Sequence, residues 1–250
     1  GRHGNDKQPI DRFDLHSVKS YDEIPETNSG LAAERGIDRA AAAASLASRN
    51  PMPEWAPQAL SRLAGNDPDP RVRSAALGAL ARPAAQQIDP GASWAALEQA
   101  LSDLDPSVRR RACEEAPRFR RSASSELVTA LLYDADPGVV EAAAWALGEL
   151  GDIALENTDG GTITRLTQVA RTHSDPLARE AAVAALGALG DEAGLPAILD
   201  ACKDKPAIRR RAILALAPFD NPQVDAALAH ALADTDWQVR QAAEDLMERS

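Results

Sequence analysis

Apolar residues recur four apart in six stretches of the chain, each opened by a short polar turn. Residues 69–80 read DPRVRSAALGAL, 105–116 DPSVRRRACEEA, 136–147 DPGVVEAAAWAL, 175–186 DPLAREAAVAAL, 205–216 KPAIRRRAILAL and 236–247 DWQVRQAAEDLM. In each, an apolar residue (Val72, Val108, Val139, Ala178, Ile208 or Val239) precedes an alanine by four (Ala76, Ala112, Ala143, Ala182, Ala212 or Ala243). Four further on stands Leu80, Ala116, Leu147, Leu186, Leu216 or Met247. An i, i+4, i+8 stripe is one buried face of an α-helix, and the central alanine lets neighbouring helices approach closely. Asp ahead of the first turn caps its free amides. Pro at the first helical position gives up an N–H that would have no partner there. Between these segments lie further apolar runs at 93–104, 124–133, 162–171, 194–202 and 222–232, which predict a second helix per unit. The anchors Pro70, Pro106, Pro137, Pro176, Pro206 and Trp237 are 36, 31, 39, 30 and 31 residues apart, the period of a stacked two-helix repeat.

One residue after the first apolar position stands Arg73, Arg109, Arg179, Arg209 or Arg240, with Val140 breaking the column in the third repeat. Asp and Arg recurring at fixed offsets are read as a structural ladder. The arginine of one repeat bonds turn carbonyls or the aspartate of its neighbour along one edge of the stack.

The spacing D-x-D-P-x-V-R-x-x-A-x-x-A-L resembles the HEAT-repeat family, in particular its phycobilisome-lyase-type subgroup. So do Leu147-Gly148-Glu149-Leu150-Gly151-Asp152 and Leu186-Gly187-Ala188-Leu189-Gly190-Asp191, the latter continuing through Glu192-Ala193-Gly194-Leu195-Pro196-Ala197-Ile198. The resemblance covers residues 67–250. It implies an all-α, right-handed superhelical solenoid of about six or seven repeats and leaves the function open. Residues 31–66 are predicted to be a degenerate capping repeat, with a helix over Leu31–Ser48, a turn at Met52–Pro57 and a short helix over Gln58–Ala64. Arg39 falls where the arginine column would place it. Residues 1–30 carry no period of 2 or 3.6 and read as an extended arm or linker: a tether packed on the first repeat, or a linear motif docking elsewhere. A tether would suit a membrane anchor upstream of Gly1.

Composition narrows the class. Of the 250 residues 44% are hydrophobic but only 4% aromatic, so the core is built from small side chains. A net charge of -11 and a pI near 4.9 argue against broad nucleic-acid binding, which needs a basic surface. Cys113 and Cys202 make no disulfide framework and suit buried thiols in a reducing compartment, the cytoplasm or the cytoplasmic face of a membrane. No apolar run is long enough to span a bilayer. His3, His16, His173 and His230 form no ligand or catalytic spacing, and no phosphate-binding glycine loop or nucleophile elbow occurs. No catalytic residue, metal or cofactor is expected.

The expected function is a non-enzymatic scaffold or adaptor. It would hold a protein partner in the groove, ridged by the second helices, or at an exposed edge. Alternatives are nucleic-acid or phosphate binding through the arginines of repeats two and five, and an accessory or lyase-like partner of an enzyme. Candidate contacts in the basic second repeat are Trp94, Arg110, Arg118, Phe119, Arg120 and Arg121, with Arg165 further along. Seven acids and no basic residue lie between Asp134 and Gly160, which adds Glu156 and Asp159. The segment Ile153–Thr162 lengthens this repeat and reads as a tolerated surface loop or part of a binding face. Trp145, on a helix among alanines, is expected to fill a gap in the core.

Overall fold

The computed structural model describes residues 30–156 and 161–248. They form fourteen α-helices and, among them, no strand. The architecture is the expected all-α solenoid. Helices α1 (Gly36–Ala47), α3 (Pro70–Leu80), α6 (Pro106–Glu115), α8 (Pro137–Leu150), α10 (Pro176–Leu189), α12 (Pro206–Ala215) and α14 (Trp237–Met247) make one layer. Helices α2 (Ala56–Asn66), α5 (Pro90–Leu101), α7 (Ser122–Ala130), α9 (Gly161–Thr172), α11 (Leu195–Ala201) and α13 (Pro222–Ala231) make the other. A six-residue helix, α4 (Pro83–Ile88), connects α3 to α5. The arm expected over residues 1–30 lies outside the described residues apart from Gly30, as do His3, His16 and Asp159.

The Asp-Pro turns start their helices as the sequence predicts. Asp69, Asp105, Asp136, Asp175 and Asp236 each accept from the amide two residues on. The periodic stripe is the core. Ala76, Ala112, Ala143, Ala182, Ala212 and Ala243 are fully buried, and Val72, Val108, Val139, Ala178, Ile208 and Val239 nearly or wholly so. Met247, the last residue of α14, departs from the buried stripe at 49% exposure. With alanine at the centre of the stripe, successive helices of the first layer pack against one another along the whole stack, more extensively than helices of the second. Closer spacing in one layer bends the stack toward it, so the Asp-Pro helices form the inner layer.

Two expectations shift. The first helix starts at Gly36 rather than Leu31, because the chain turns over residues 30–35, where the Ala33 amide donates to the Gly30 carbonyl at 3.2 Å. The short helix α4 was not expected; Pro83 restarts the chain one residue after Arg82.

The ladder is present along the edge formed by the Asp-Pro turns. Arg39 pairs with Asp67, Arg73 with Asp103, Arg109 with Asp134, Arg179 with Asp204 and Arg209 with Asp234, each through two N–H···O bonds of 2.7–3.1 Å. The remaining guanidinium nitrogen donates to a carbonyl of the arginine's own turn, as from Arg109 to Asp103 at 2.8 Å. Each rung is thus a bidentate, charge-assisted clamp between repeats. The Arg109 hydrogen bond is the main influence holding the Asp134 carboxyl below its ordinary range. At Asp67 and Asp103 burial pushes upward, and the arginine and backbone amide together outweigh it.

One rung is missing on both sides. Where Val140 replaces the arginine, His173 replaces the aspartate of the next turn. His173 keeps the turn by accepting from the Asp175 amide through Nδ1 at 3.1 Å. Val140 is fully buried, and α8 and α10, the two longest helices, make the most extensive contact in the stack. Apolar packing replaces the ion pair at this joint.

Candidate functional site

The inner face of the third and fourth repeats holds a groove of about 680 Å³, lined by α6, α8, α10 and α12. Its floor follows from small residues: Ala142 and Gly148 on α8, and Ala181, Ala184, Ala185 and Ala188 on α10. Gly148 brings α8 and α10 close together there: a Cβ would lie 3.2 Å from the Ala185 Cα, a tight contact. A second hollow of about 460 Å³ shares Ala184, Ala188 and Arg211 and carries the groove on to Leu214 and Pro218.

Trp145 stands in this groove at 46% exposure, which corrects its expected place in the core. The reason is helical phase. The buried stripe of α8 is Val139, Ala143 and Leu147, and Trp145 lies two residues out of step with it, about 200° around the axis. Glu141 and Glu149, four residues to either side, share its face. Leu177 on α10, 58% exposed, adds apolar surface.

Charge is uneven across the groove. Arg110 Nε lies 3.2 Å from Glu114, and Arg211 Nε lies 3.4 Å from Glu180. Glu141 and Glu149 have no cationic partner among the described residues, so two carboxylates remain uncompensated beside Trp145.

The expected contact residues separate. Only Arg110 lines the groove. Trp94, Phe119 and Arg121 come together at the edge opposite the ladder. The two rings meet edge to face at 6.2 Å, and the Arg121 guanidinium sits 4.9 Å above the Trp94 ring. Arg118 is drawn to Glu115, 4% exposed, whose other oxygen faces Arg111; both contacts are 2.6 Å. The Arg118 contact is an ion pair whose N–H is not aligned for a hydrogen bond. Arg120 adopts a left-handed φ of 48° and is exposed. Arg165 lies 5.1 Å over the Tyr133 ring, away from this cluster, and Glu156 is an exposed residue after the turn Gly151–Ala154. The groove is also lined by the Asp-Pro helices, not ridged by the second helices as expected. The sequence signal for Glu141, Trp145 and Glu149 is their repeat every four residues on the face opposite the apolar stripe.

No group of three or more His, Cys, Asp or Glu among the described residues is placed to hold a metal. Burial pushes the Cys113 thiol well above its usual range and the Cys202 thiol up to about 11, which leaves both poorly nucleophilic. No helix among the described residues is long and apolar enough to cross a membrane.

A stack of two-helix repeats with an open inner groove defines an α-solenoid, a fold that commonly serves as a protein-interaction scaffold. The HEAT-repeat family model matches residues 95–157 and 163–248, and the chain belongs to that family. No curated relative matches the sequence. Solved structures similar to it include the Escherichia coli protein YibA, at 20% identity and a TM-score of 0.67 over 90% of this chain and 81% of that one. A designed armadillo repeat protein in complex with the peptide (KR)4 is similar at 16% identity and a TM-score of 0.59, covering 77% of this chain and 98% of its own. A computationally designed armadillo repeat protein for modular peptide recognition aligns at 17% identity, with a TM-score of 0.56 over the same shares. These likenesses establish the fold.

Proposed function

We propose that the protein is a non-enzymatic adaptor that holds a segment of a protein partner in the inner groove of its third and fourth repeats. The observation that carries this reading is Trp145. A tryptophan nearly half exposed on a floor of alanine and glycine is costly to leave in water. Tryptophan is also the side chain most enriched at binding hot spots. The peptide complexes or peptide recognition named for the two designed armadillo proteins lend support by analogy of fold. Two unpaired thiols suit action in the cytoplasm or at its face of a membrane. The resemblance to phycobilisome-lyase-type repeats concerns repeat sequence, and a lyase-associated role would be one case of the adaptor reading.

The test is co-purification from the native cells, before and after nuclease, with wild type and Trp145→Ala. A stoichiometric protein partner that survives nuclease and is lost with the substitution supports the groove. The exposed Arg120 and Arg121 favour a second reading, a phosphate or nucleic-acid contact at the edge. Material removed by nuclease, and by charge reversal at Arg118, Arg120 and Arg121 instead, would establish that reading in its place.

A further inference from the structure

We infer that the groove takes a cationic, extended segment of a protein partner, with one arginine or lysine stacked on Trp145 between Glu141 and Glu149. The inference rests on the groove reading above and names the chemistry of its occupant.

Glu141, Trp145 and Glu149 are successive i, i+4 neighbours on one helix face, so each carboxylate lies within about 5–6 Å of the tryptophan at Cβ level. A ring face between two carboxylates attracts a guanidinium or ammonium group through both the ring quadrupole and the charges. The molecule itself shows the preferred geometry: Arg121 over Trp94 at 4.9 Å and Arg165 over Tyr133 at 5.1 Å. Trp145 has no such arginine among the described residues. The groove's own arginines face other carboxylates of its lining, Arg110 with Glu114 and Arg211 with Glu180, and leave Glu141 and Glu149 as its surplus negative charge.

The floor points the same way. Alanine and glycine at 142, 148, 181, 184, 185 and 188 let a backbone come close but leave no deep socket for a branched apolar anchor. A long side chain that lies flat, with an aliphatic stem over small residues and a charged end at the rim, fits better. The lining helices α6, α8, α10 and α12 are four neighbours at about 8–10 Å spacing. An extended chain at about 3.3 Å per residue crosses them with roughly eight residues.

The probe is a fluorescent eight-residue peptide of alternating lysine and arginine, read by anisotropy at 150 mM salt. Expected is saturable 1:1 binding that Trp145→Ala weakens about three- to thirty-fold, the range of a stacked cation. Glu141→Gln with Glu149→Gln should weaken it similarly, and Trp145→Phe should keep part of it. Neutralising two exposed glutamates elsewhere, Glu126→Gln with Glu244→Gln, should leave it unchanged. Circular dichroism confirms that each variant folds. Equal weakening by the remote pair would assign binding to the overall charge of -11 and overturn the inference. Selection of random eight-residue displayed peptides on wild type, with counter-selection on Trp145→Ala, separates the two levels. Selected sequences rich in arginine and lysine support the inference. Neutral or acidic sequences that still need Trp145 overturn the cationic occupant and leave the groove reading standing. Sequences indifferent to Trp145 overturn both.

Discussion

Replacing Asp134 with asparagine removes one charge from the rung between the second and third repeats and keeps an oxygen for the Asp136 amide it accepts from at 2.9 Å. Arg109 donates to the two Asp134 oxygens at 2.7 and 2.8 Å, with the side chains 17% and 7% exposed. Hydrogen bonds to charged groups contribute about 1.5–3 kcal/mol each in protected sites. Breaking a fully buried pair costs roughly 3–5 kcal/mol. The partly open arginine places this rung below that, and we expect Asp134→Asn to cost about 2 kcal/mol. Arg109→Met also gives up the bonds to the Asp103 and Leu104 carbonyls and should cost about 3–4 kcal/mol. The double variant should cost little more than Arg109→Met, for a coupling of about 2 kcal/mol. At this chain length Asp134→Asn then lowers Tm by roughly 4–8 °C. The assay is urea unfolding of wild type, both single variants and the double variant, followed by circular dichroism and tryptophan fluorescence. The two signals must coincide before free energies are extracted, because stacked repeats can unfold piecewise. A coupling under about 0.5 kcal/mol would refute the view that the rungs clamp neighbouring repeats, and would leave them as tidy surface geometry.

Two further predictions concern stability. Gly187→Ala places a Cβ 2.6 Å from the Ala215 Cα and 2.8 Å from its carbonyl oxygen, so α10 and α12 must move apart. A loss of about 1–3 kcal/mol is expected, and a melting curve equal to that of Gly161→Ala, whose site is open, would contradict it. The second is acid sensitivity. Asp67, Asp103, Asp134, Asp204 and Asp234 titrate below their ordinary range in the fold, and Asp69, bonded by Arg71, at about 2. A carboxyl lowered by folding contributes its stability above the unfolded value, near 3.9, and loses it as pH falls toward the folded value. The urea midpoint should therefore hold above about pH 5 and fall steeply from about pH 4 downward, less steeply in Asp134→Asn. A midpoint unchanged between pH 5 and 3 would count against the ladder as an electrostatic element.

Much of the fold is legible in one dimension because its determinants are local. The four-residue stripe, the Asp cap and the Pro at the first helical position each act within one turn, so the Asp-Pro helices and their buried face follow from the string of residues. The arginine column is legible too, since a fixed offset in every repeat becomes a fixed position in the stack. An aspartate of the neighbouring repeat is the expected partner, but that it is the first of the two in the turn, Asp134 rather than Asp136, is settled only when α6 and α8 lie side by side. The joint lacking a rung shows the same division. Val140 is visibly missing its arginine, but that His173 lacks the matching aspartate has meaning only once the two positions face each other. The groove is less legible. Periodicity says which face of α8 is buried and which is not, yet the open face could look onto solvent, a loop or a concavity. That is decided by the closer spacing of the alanine-centred layer, which turns the Asp-Pro helices inward and sets Trp145 over the small residues of α10. The cluster of arginines around Phe119 drew attention by its density along the chain, and in three dimensions much of it is spent on Trp94 and Glu115. Sequence alone determined the repeat, its helices and the residues of its ladder, because these obey short-range rules. Tertiary structure alone decided which layer is concave and which side chains share the groove, because curvature is a sum over many neighbours that no single repeat contains.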